Sequence, residues 1–259
     1  CDTETILRAW TRSAHNTLPQ LRGMYALGAW DARSRTLTLA RDPLGIKPLY
    51  YARTTRGPKE IVFASDPAVV AAHPGVGARP NWHMVSAYLT TIRTVLGDQT
   101  MYAGVHALRP GEAIAFDCAG DTITERRWSH WQAPALDPDD RWTDDEAAGA
   151  VRTALDDATL AHLRADVPTC ALLSGGLDST ALASIARRAK PDLRTYCAGA
   201  REGAGAEDDD LDVARRAAAL LDPRHEAALV TRASFAEPWP QTSGRLARPP
   251  TTPNHAAIP

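Results

Sequence analysis

Short apolar segments separated by turn-forming residues fill much of the first half of the chain. They contain β-branched, aromatic and aliphatic side chains, and Asp, Gly and Pro stand between them, which is typical of strands joined by tight turns. The segments are residues 24–30, 36–40, 48–51 and 61–64, with two more strand candidates in 104–116 around the turn Arg109-Pro110-Gly111-Glu112. Amphipathic spacing predicts helices over 5–10 and 82–90. This half is therefore predicted to be a β-meander with hairpins and accompanying helices.

Strand-like and helix-like segments alternate in the second half. A capped helix start at Thr143-Asp144-Asp145-Glu146 precedes apolar positions at helical spacing over residues 147–163. Further along, strands are predicted at 169–173 and 193–198, and helices at 179–189 and 211–221. Strands that alternate with helices favour a parallel, doubly wound sheet.

The composition changes between these halves. Residues 132–145 are rich in Pro, Asp and Trp, and include Pro134, Pro138 and the acidic pair Asp139 and Asp140, a composition that favours loop over regular structure. A chain of 259 residues is long enough for two modest cores. We therefore expect one domain at residues 1–131, a linker at 132–145 and a second domain at 146–259.

Composition and charge argue against several classes of protein. The formal net charge is -2, so there is no excess of Lys and Arg to neutralise a nucleic-acid backbone. No apolar stretch approaches the roughly 20 residues that span a bilayer, and the amino terminus lacks a signal-peptide pattern. The four cysteines are too widely spaced for zinc or a disulfide framework, and Cys170 and Cys197 are expected to be buried free thiols. We expect a cytoplasmic protein that binds neither nucleic acid nor membrane.

A loop with the chemistry of a phosphate site follows the first strand of the second half. The apolar strand ends at Leu173 and runs into Ser174-Gly175-Gly176-Leu177-Asp178-Ser179, where a helix is predicted to begin. Adjacent glycines let the backbone approach an anion, which also meets unpaired N–H groups and the positive end of the helix dipole. Ser174, Ser179 and Thr180 add hydroxyl donors. Asp178 is suited to a magnesium ion that bridges phosphates.

The residues alone leave a second interpretation of this loop open. A glycine-rich turn between strand and helix, with ordinary capping by Asp and Ser, would have a similar sequence. The Walker A, dinucleotide-binding and nucleophile-elbow patterns do not fit. A position at the carboxyl end of a strand, where ligands bind in open α/β sheets, favours the phosphate site.

The segment from Ser174 to Ser179, with the preceding residues 163–168, resembles the pyrophosphatase loop of the asparagine synthetase family. The resemblance implies that ATP is cleaved between its α and β phosphates, which leaves an acyl-adenylate and a pyrophosphate held by the loop and magnesium. It implies that Asp178 binds the metal and that Leu173 and Ala198 form part of the adenine site. The implied ATP and pyrophosphate site comprises Leu173, Ser174, Gly175, Gly176, Leu177, Asp178, Ser179 and Ala198.

The first half independently resembles the later part of a class II glutamine amidotransferase domain, on the segments 2–4, 21–26, 39–51 and 63–66. The two resemblances imply an α/β protein in which a partial N-terminal-nucleophile-type α+β sandwich is followed by a doubly wound parallel-sheet ATP-pyrophosphatase domain. Asp2 would bind the α-amino group of glutamine, although a terminal acid is equally suited to be a solvated charge or a helix cap. Cys1 precedes a motif that lies far downstream of the family nucleophile, so no catalytic residue is assigned. The chain is accordingly expected to be truncated at both ends.

Two other features of the second half resemble functional groups. The acidic run Glu207-Asp208-Asp209-Asp210 could suggest a metal cluster, but acids ahead of a helix are usually solvated and favoured by the helix dipole. His225 falls where the family usually has a His, and a packing position between helix and strand is expected for it.

The resemblances predict an asparagine synthase (glutamine-hydrolysing) that adenylates a carboxylate such as aspartate and transfers glutamine-derived ammonia to it. Its expected substrates are glutamine, ATP and the carboxylate. A homodimer is one oligomeric state that the sequence allows. At Leu246-Ala247-Arg248-Pro249-Pro250 the chain lacks an acidic pair that asparagine synthetases more often have. A macrolactam (lasso-peptide-type) or β-lactam cyclase therefore stays an alternative, in the former case with a precursor peptide as partner. An inactive fragment that only binds nucleotide or a partner is the third hypothesis.

Overall fold

The computed structural model of the protein describes residues 1–133, 142–200, 209–221 and 224–230. These residues fall into two compact units, the first containing residues 1–133 and the second the later described segments. Within the described ranges, no helix is both long enough and apolar enough to cross a membrane.

Antiparallel sheets dominate the first unit. One sheet has the order β1 (Ala26–Asp31), β2 (Thr36–Arg41), β8 (Glu112–Asp117), β9 (Thr124–Ser129). The other has the order β4 (Ile61–Ala64), β3 (Tyr50–Arg53), β7 (His106–Ala107), β6 (Gln99–Thr100), β5 (Val95–Leu96). Its helices are α1 (Asp2–Thr17), α2 (Pro67–Ala71) and α3 (Trp82–Thr91), and a 3-10 turn at Leu18–Gln20 follows α1.

Alternating side chains arrange this unit in layers. Leu39, Ile114 and Phe116 of the first sheet form one core with Tyr51 of the second sheet, so the two sheets pack face to face. The next residue along β2, Ala40, points the other way and joins a core with Trp10 of α1. On the second sheet, β3 residues adjacent to Tyr51 pack against α2. The result is an α+β sandwich with helices outside two antiparallel sheets.

A parallel sheet forms the second unit. The strands β10 (Cys170–Leu172), β11 (Arg194–Ala200) and β12 (Arg224–Val230) lie in that order and are parallel throughout. The helices are α4 (Asp144–His162), α5 (Leu177–Ala189) and α6 (Asp209–Leu221). A core of Leu173, Ala183, Ala217 and Ala218 joins the end of β10 to α5 and α6, so these two helices pack side by side on the same face of the sheet.

The predicted fold classes, an antiparallel α+β sandwich followed by a parallel α/β sheet, are confirmed. Strand β9 was missed because its sequence, Thr124–Ser129, is mostly polar and exposed and lacks an apolar pattern. The predicted capped start of helix α4 is confirmed: Thr143 is the N-cap residue, and Thr143 and Glu146 hydrogen-bond reciprocally in a capping box. The expected linker falls largely on residues 134–141, outside the described residues, so the domain boundaries stay predictions. The expectation of a buried thiol holds for Cys197 and is wrong for Cys170, which is exposed at the start of β10.

Candidate functional site

The predicted phosphate loop connects β10 directly to α5. Leu173 extends the strand, since its N–H donates to the carbonyl of Tyr196 on β11 at 2.8 Å. The backbone then turns at Gly175, whose φ of +77° lies in the left-handed region that disfavours a side chain. Gly176 is the N-cap residue of α5, and Leu177, Asp178 and Ser179 form its first turn. The loop therefore lies at the carboxyl edge of the sheet, with the N–H groups of a helix start beside it.

The loop hydroxyls are bonded to the loop itself. Ser174 Oγ lies 2.9 Å from Ser179 Oγ, the Gly176 N–H donates to Ser174 Oγ at 3.4 Å, and Ser179 Oγ donates to the Gly176 carbonyl at 3.2 Å. Ser174, Gly176 and Asp178 are exposed. These bonds set the shape of the turn, which leaves the N–H groups of the first turn of α5 as the donors for an anion. The N-cap residue of α5, Gly176, has no side chain, so the helix is not capped by its own N-cap residue. The phosphate-binding role of the loop stays a prediction.

Asp178 is the acidic group of this loop. It lies in the first turn of α5, exposed to solvent. Among the described residues, no group of three or more His, Cys, Asp or Glu side chains could hold a metal ion. A single carboxylate suits magnesium, which usually takes one or two protein carboxylates and completes its octahedron with phosphate oxygens and water. The residues therefore fit a magnesium ion that arrives with a nucleotide, rather than one held by the protein alone.

Leu173 and Ala198 lie at the same edge of the sheet. Leu172 pairs with Tyr196 in the register of β10 and β11, so Leu173 and the loop start lie level with Cys197 and Ala198. Leu173 is fully buried, backbone included, so it shapes this edge from beneath and does not offer a contact surface. Ala198 is exposed. A planar ring lying across these two strand ends would meet the small side chain of Ala198.

The expected glutamine residue, Asp2, belongs to the first unit. It is exposed and is the first residue of α1, whose N-cap is Cys1. The helix-cap alternative for Asp2 is therefore wrong, while a glutamine-binding role stays a prediction. Cys1 is exposed, and its carbonyl accepts hydrogen bonds from the N–H groups of Glu4 and Thr5 at 3.1 and 3.2 Å.

Sequence reasoning missed the way in which Arg41 and Asp42 shape the loop that follows them. The Arg41 guanidinium donates to the carbonyls of Gly45, Lys47 and Leu108 at 2.6 to 2.7 Å. The Asp42 carboxylate, 1% exposed, accepts from the N–H groups of Leu44, Ile46 and Lys47 at 2.9 to 3.2 Å. Burial by itself raises the pKa of Asp42, but the backbone N–H groups outweigh it and lower the pKa below its usual value. This segment carries part of the resemblance to amidotransferases, which marks it in the sequence. The resemblance alone does not distinguish residues that bind a ligand from residues that hold the loop in shape.

The other candidate groups do not join the site. His225 lies near the start of β12, at the end of the strands opposite the loop, and its Nδ1 is 2.9 Å from Thr195 Oγ1 of β11. Burial, followed by the charge of Arg215 on α6, lowers its pKa, which suits a neutral imidazole packed between strand and helix. Of the acidic run, Glu207 and Asp208 lie outside the described residues, as does the 246–250 segment.

Comparisons with known proteins support the resemblance of each half of the chain. Residues 1–129 match the model of the glutamine amidotransferase domain, and residues 150–259 match that of asparagine synthase. This chain belongs to the asparagine synthetase family. A putative glutamine-hydrolysing asparagine synthetase of Mycobacterium tuberculosis is 33% identical over 257 residues, which are 97% of this chain and 38% of the relative. Asparagine synthetase 3 of Bacillus subtilis is 30% identical over 200 residues, 75% of this chain and 31% of the relative.

One further similar protein is named an amidase. Amidase chry2 of Gibberella zeae is 28% identical over 236 residues, 85% of this chain and 33% of the relative. The chain thus spans about a third of the length of these three relatives. Among solved structures, a glutamine-dependent NAD+ synthetase from Acinetobacter baumannii in complex with ADP matches 97% of this chain and 59% of its own, with 12% identity and a TM-score of 0.32.

Proposed function

We propose that this chain is part of a glutamine-dependent amide ligase of the asparagine synthase type. Its second unit adenylates a carboxylate with ATP, and its first unit belongs to the domain that supplies ammonia from glutamine. The observation that carries the proposal is the loop from Ser174 to Ser179. It offers exposed hydroxyls, a glycine turn and the N–H groups of a helix start at the carboxyl edge of a parallel sheet.

The roles of the loop residues follow from their chemistry. The N–H groups of the first turn of α5 and the hydroxyls of Ser174 and Ser179 bind the β and γ phosphates of ATP, which become the leaving pyrophosphate. Asp178 would hold a magnesium ion beside those phosphates, and the metal would supply positive charge to offset that of the leaving pyrophosphate. The adenine lies beside the side chain of Ala198, at the strand ends that Leu173 supports from beneath. Asp2 orients glutamine by its α-amino group.

The test is the exchange of labelled pyrophosphate into ATP by the full-length protein. Exchange that depends on aspartate, followed by asparagine formation with glutamine or ammonium as nitrogen source, is the expected result. Exchange with no nitrogen requirement, in the presence of a peptide or amino-acid derivative that cyclises, would instead identify a cyclase of the same family. A protein that binds neither ATP nor pyrophosphate would contradict the proposal and favour a fragment without nucleotide chemistry.

A further inference from the structure

Helix α6 touches the backbone of the phosphate loop at Gly175. A Cβ atom added to Gly175 would lie 2.5 Å from the carbonyl carbon of Val213, 2.6 Å from Val213 Cγ1 and 2.7 Å from the backbone nitrogen of Ala214. Real Cβ atoms do not approach backbone this closely, so the position accepts only glycine. The glycine is therefore required twice, by its left-handed φ and by the helix behind it.

The helix that makes this contact is itself fixed in place. Leu211 and Ala214 are buried against Cys197 of the central strand. One turn further along, Ala217 and Ala218 are buried in the core that contains Leu173, the residue before the loop. Helix α6 thus packs on the strand that precedes the loop as well as on the loop. Because close-packed interiors give way little, the loop cannot move back at Gly175.

We infer that Val213 is a positioning residue for the phosphate loop. It closes the back of the loop at Gly175, which keeps the turn in one shape and holds the start of α5 in place beside it. Val213 acts through Gly175 and does not touch the ligand itself. The inference rests on the proposed function, in which this loop holds the pyrophosphate of ATP.

The side chain of Val213 is suited to this task. A β-branched side chain has essentially one rotamer in a helix, so its Cγ1 atom stays at a fixed position. Alanine at this position would leave a gap beside a glycine, the residue with the widest choice of backbone conformations. The loop would then sample shapes that do not bind, and the ligand would have to restore order at a cost in affinity. Threonine keeps the branched shape, but its hydroxyl gives it a second rotamer in a helix.

The experiment measures the affinity of the chain for inorganic pyrophosphate with magnesium, by titration calorimetry well below the melting temperature. Val213→Ala should weaken binding on the order of tenfold, because a displaced binding group commonly costs that much or more. Val213→Thr should recover part of that loss, because it keeps the branched shape but not the single rotamer. Leu220→Ala provides the matched control, since Leu220 lies on the same helix, is 88% exposed and has no part in the loop; its affinity should equal that of the unaltered chain.

The outcomes separate the inference from the proposed function. If the unaltered chain binds pyrophosphate and Val213→Ala binds equally well, the positioning role is wrong and the proposed function stands. An equal loss in Leu220→Ala would also overturn the role, because it would point to general destabilisation. Failure of the unaltered chain to bind would remove both. If Val213→Ala does not fold, amide hydrogen exchange of the unaltered chain tests the positioning role instead. Pyrophosphate should then slow exchange around Val213 as well as in the loop. Unchanged exchange in α6 would refute the role.

Discussion

Replacing Asp178 by Asn removes one negative charge from the first turn of α5 and keeps the shape of the side chain. The structure separates the two effects of this change. Asp178 is exposed, and no side chain makes a cap hydrogen bond at this helix start, so folding should lose only the favourable interaction with the helix dipole, about 0.3 to 1 kcal/mol. Nucleotide chemistry should lose far more. Without the carboxylate, the magnesium ion that offsets the charge of the departing pyrophosphate is no longer held, which costs several kcal/mol of transition-state stabilisation.

The measurement is substrate-dependent exchange of pyrophosphate into ATP, compared with the thermal unfolding of the same protein. A loss of about 3 to 4 kcal/mol in the transition state corresponds to a rate lower by roughly a hundredfold to a thousandfold. Asp145→Asn is the matched control, because Asp145 is exposed at the same position of the first turn of α4 and belongs to no predicted site. Both variants should unfold at nearly the same temperature as the unaltered protein. Only Asp178→Asn should lose exchange.

Exchange at the normal rate in a well-folded Asp178→Asn protein would refute this reasoning. The loop would then hold phosphates by its N–H groups and hydroxyls alone, and magnesium would be bound elsewhere. A loss that is as large in Asp145→Asn would show that the effect comes from helix stability and not from the metal.

Three further predictions concern other parts of the chain. Asp42→Asn should lower the free energy of unfolding by about 2 to 4 kcal/mol, because one accepting oxygen of a buried carboxylate becomes a donor that faces N–H groups. Since the folded-state pKa of Asp42 is lowered, this difference should be full near neutral pH and shrink as the pH falls through that pKa. A constant difference between pH 7 and 2 would contradict the prediction. Cys1→Ala should leave glutamate release from glutamine at the background level of this chain, because Cys1 directly precedes the segment 2–4, which resembles a motif far downstream of the family nucleophile. Release that disappears in the variant would make Cys1 a nucleophile. Leu172 is 78% exposed on β10, and an exposed apolar side chain favours self-association. Leu172→Thr should therefore reduce self-association in light scattering at nearly unchanged melting temperature. Unchanged association would mean that another surface drives it.

The sequence predicts the elements that follow a strong local pattern. The predicted strand over residues 61–64 coincides with β4, and the helices near 82 and 211 differ from α3 and α6 by a few residues. Their apolar periodicity and turn residues are local, so a single sequence contains them. Strand β9 has charged residues on both faces and owes its place to pairing with β8, which no local pattern contains. Pairing with a neighbouring strand, rather than a local preference, therefore makes residues 124–129 a strand.

The same distinction applies to the candidate site. The loop from Ser174 to Ser179 was predicted because strand, glycines and helix start are consecutive in the sequence. The contact between Gly175 and α6 joins residues far apart in the chain, and nothing in the sequence of α6 marks Val213. The positions of Leu173 and Ala198 at one edge follow from strand register, whereas the burial of the Leu173 side chain follows from the packing of α5 and α6. Side-chain roles that depend on packing across elements could not be predicted.

The anchoring of the loop after β2 has a consequence for how this surface can diverge. The path of the loop is set from within, by bonds from the Arg41 and Asp42 side chains to its backbone. The side chains that project from it, Leu44 at 71% and Ile46 at 49% exposed, contribute little to that path. Substitutions at these two positions can therefore change what the surface recognises while the backbone beneath them keeps its form. Related proteins could acquire different contacts here at small cost in stability, provided that the arginine and the aspartate are retained.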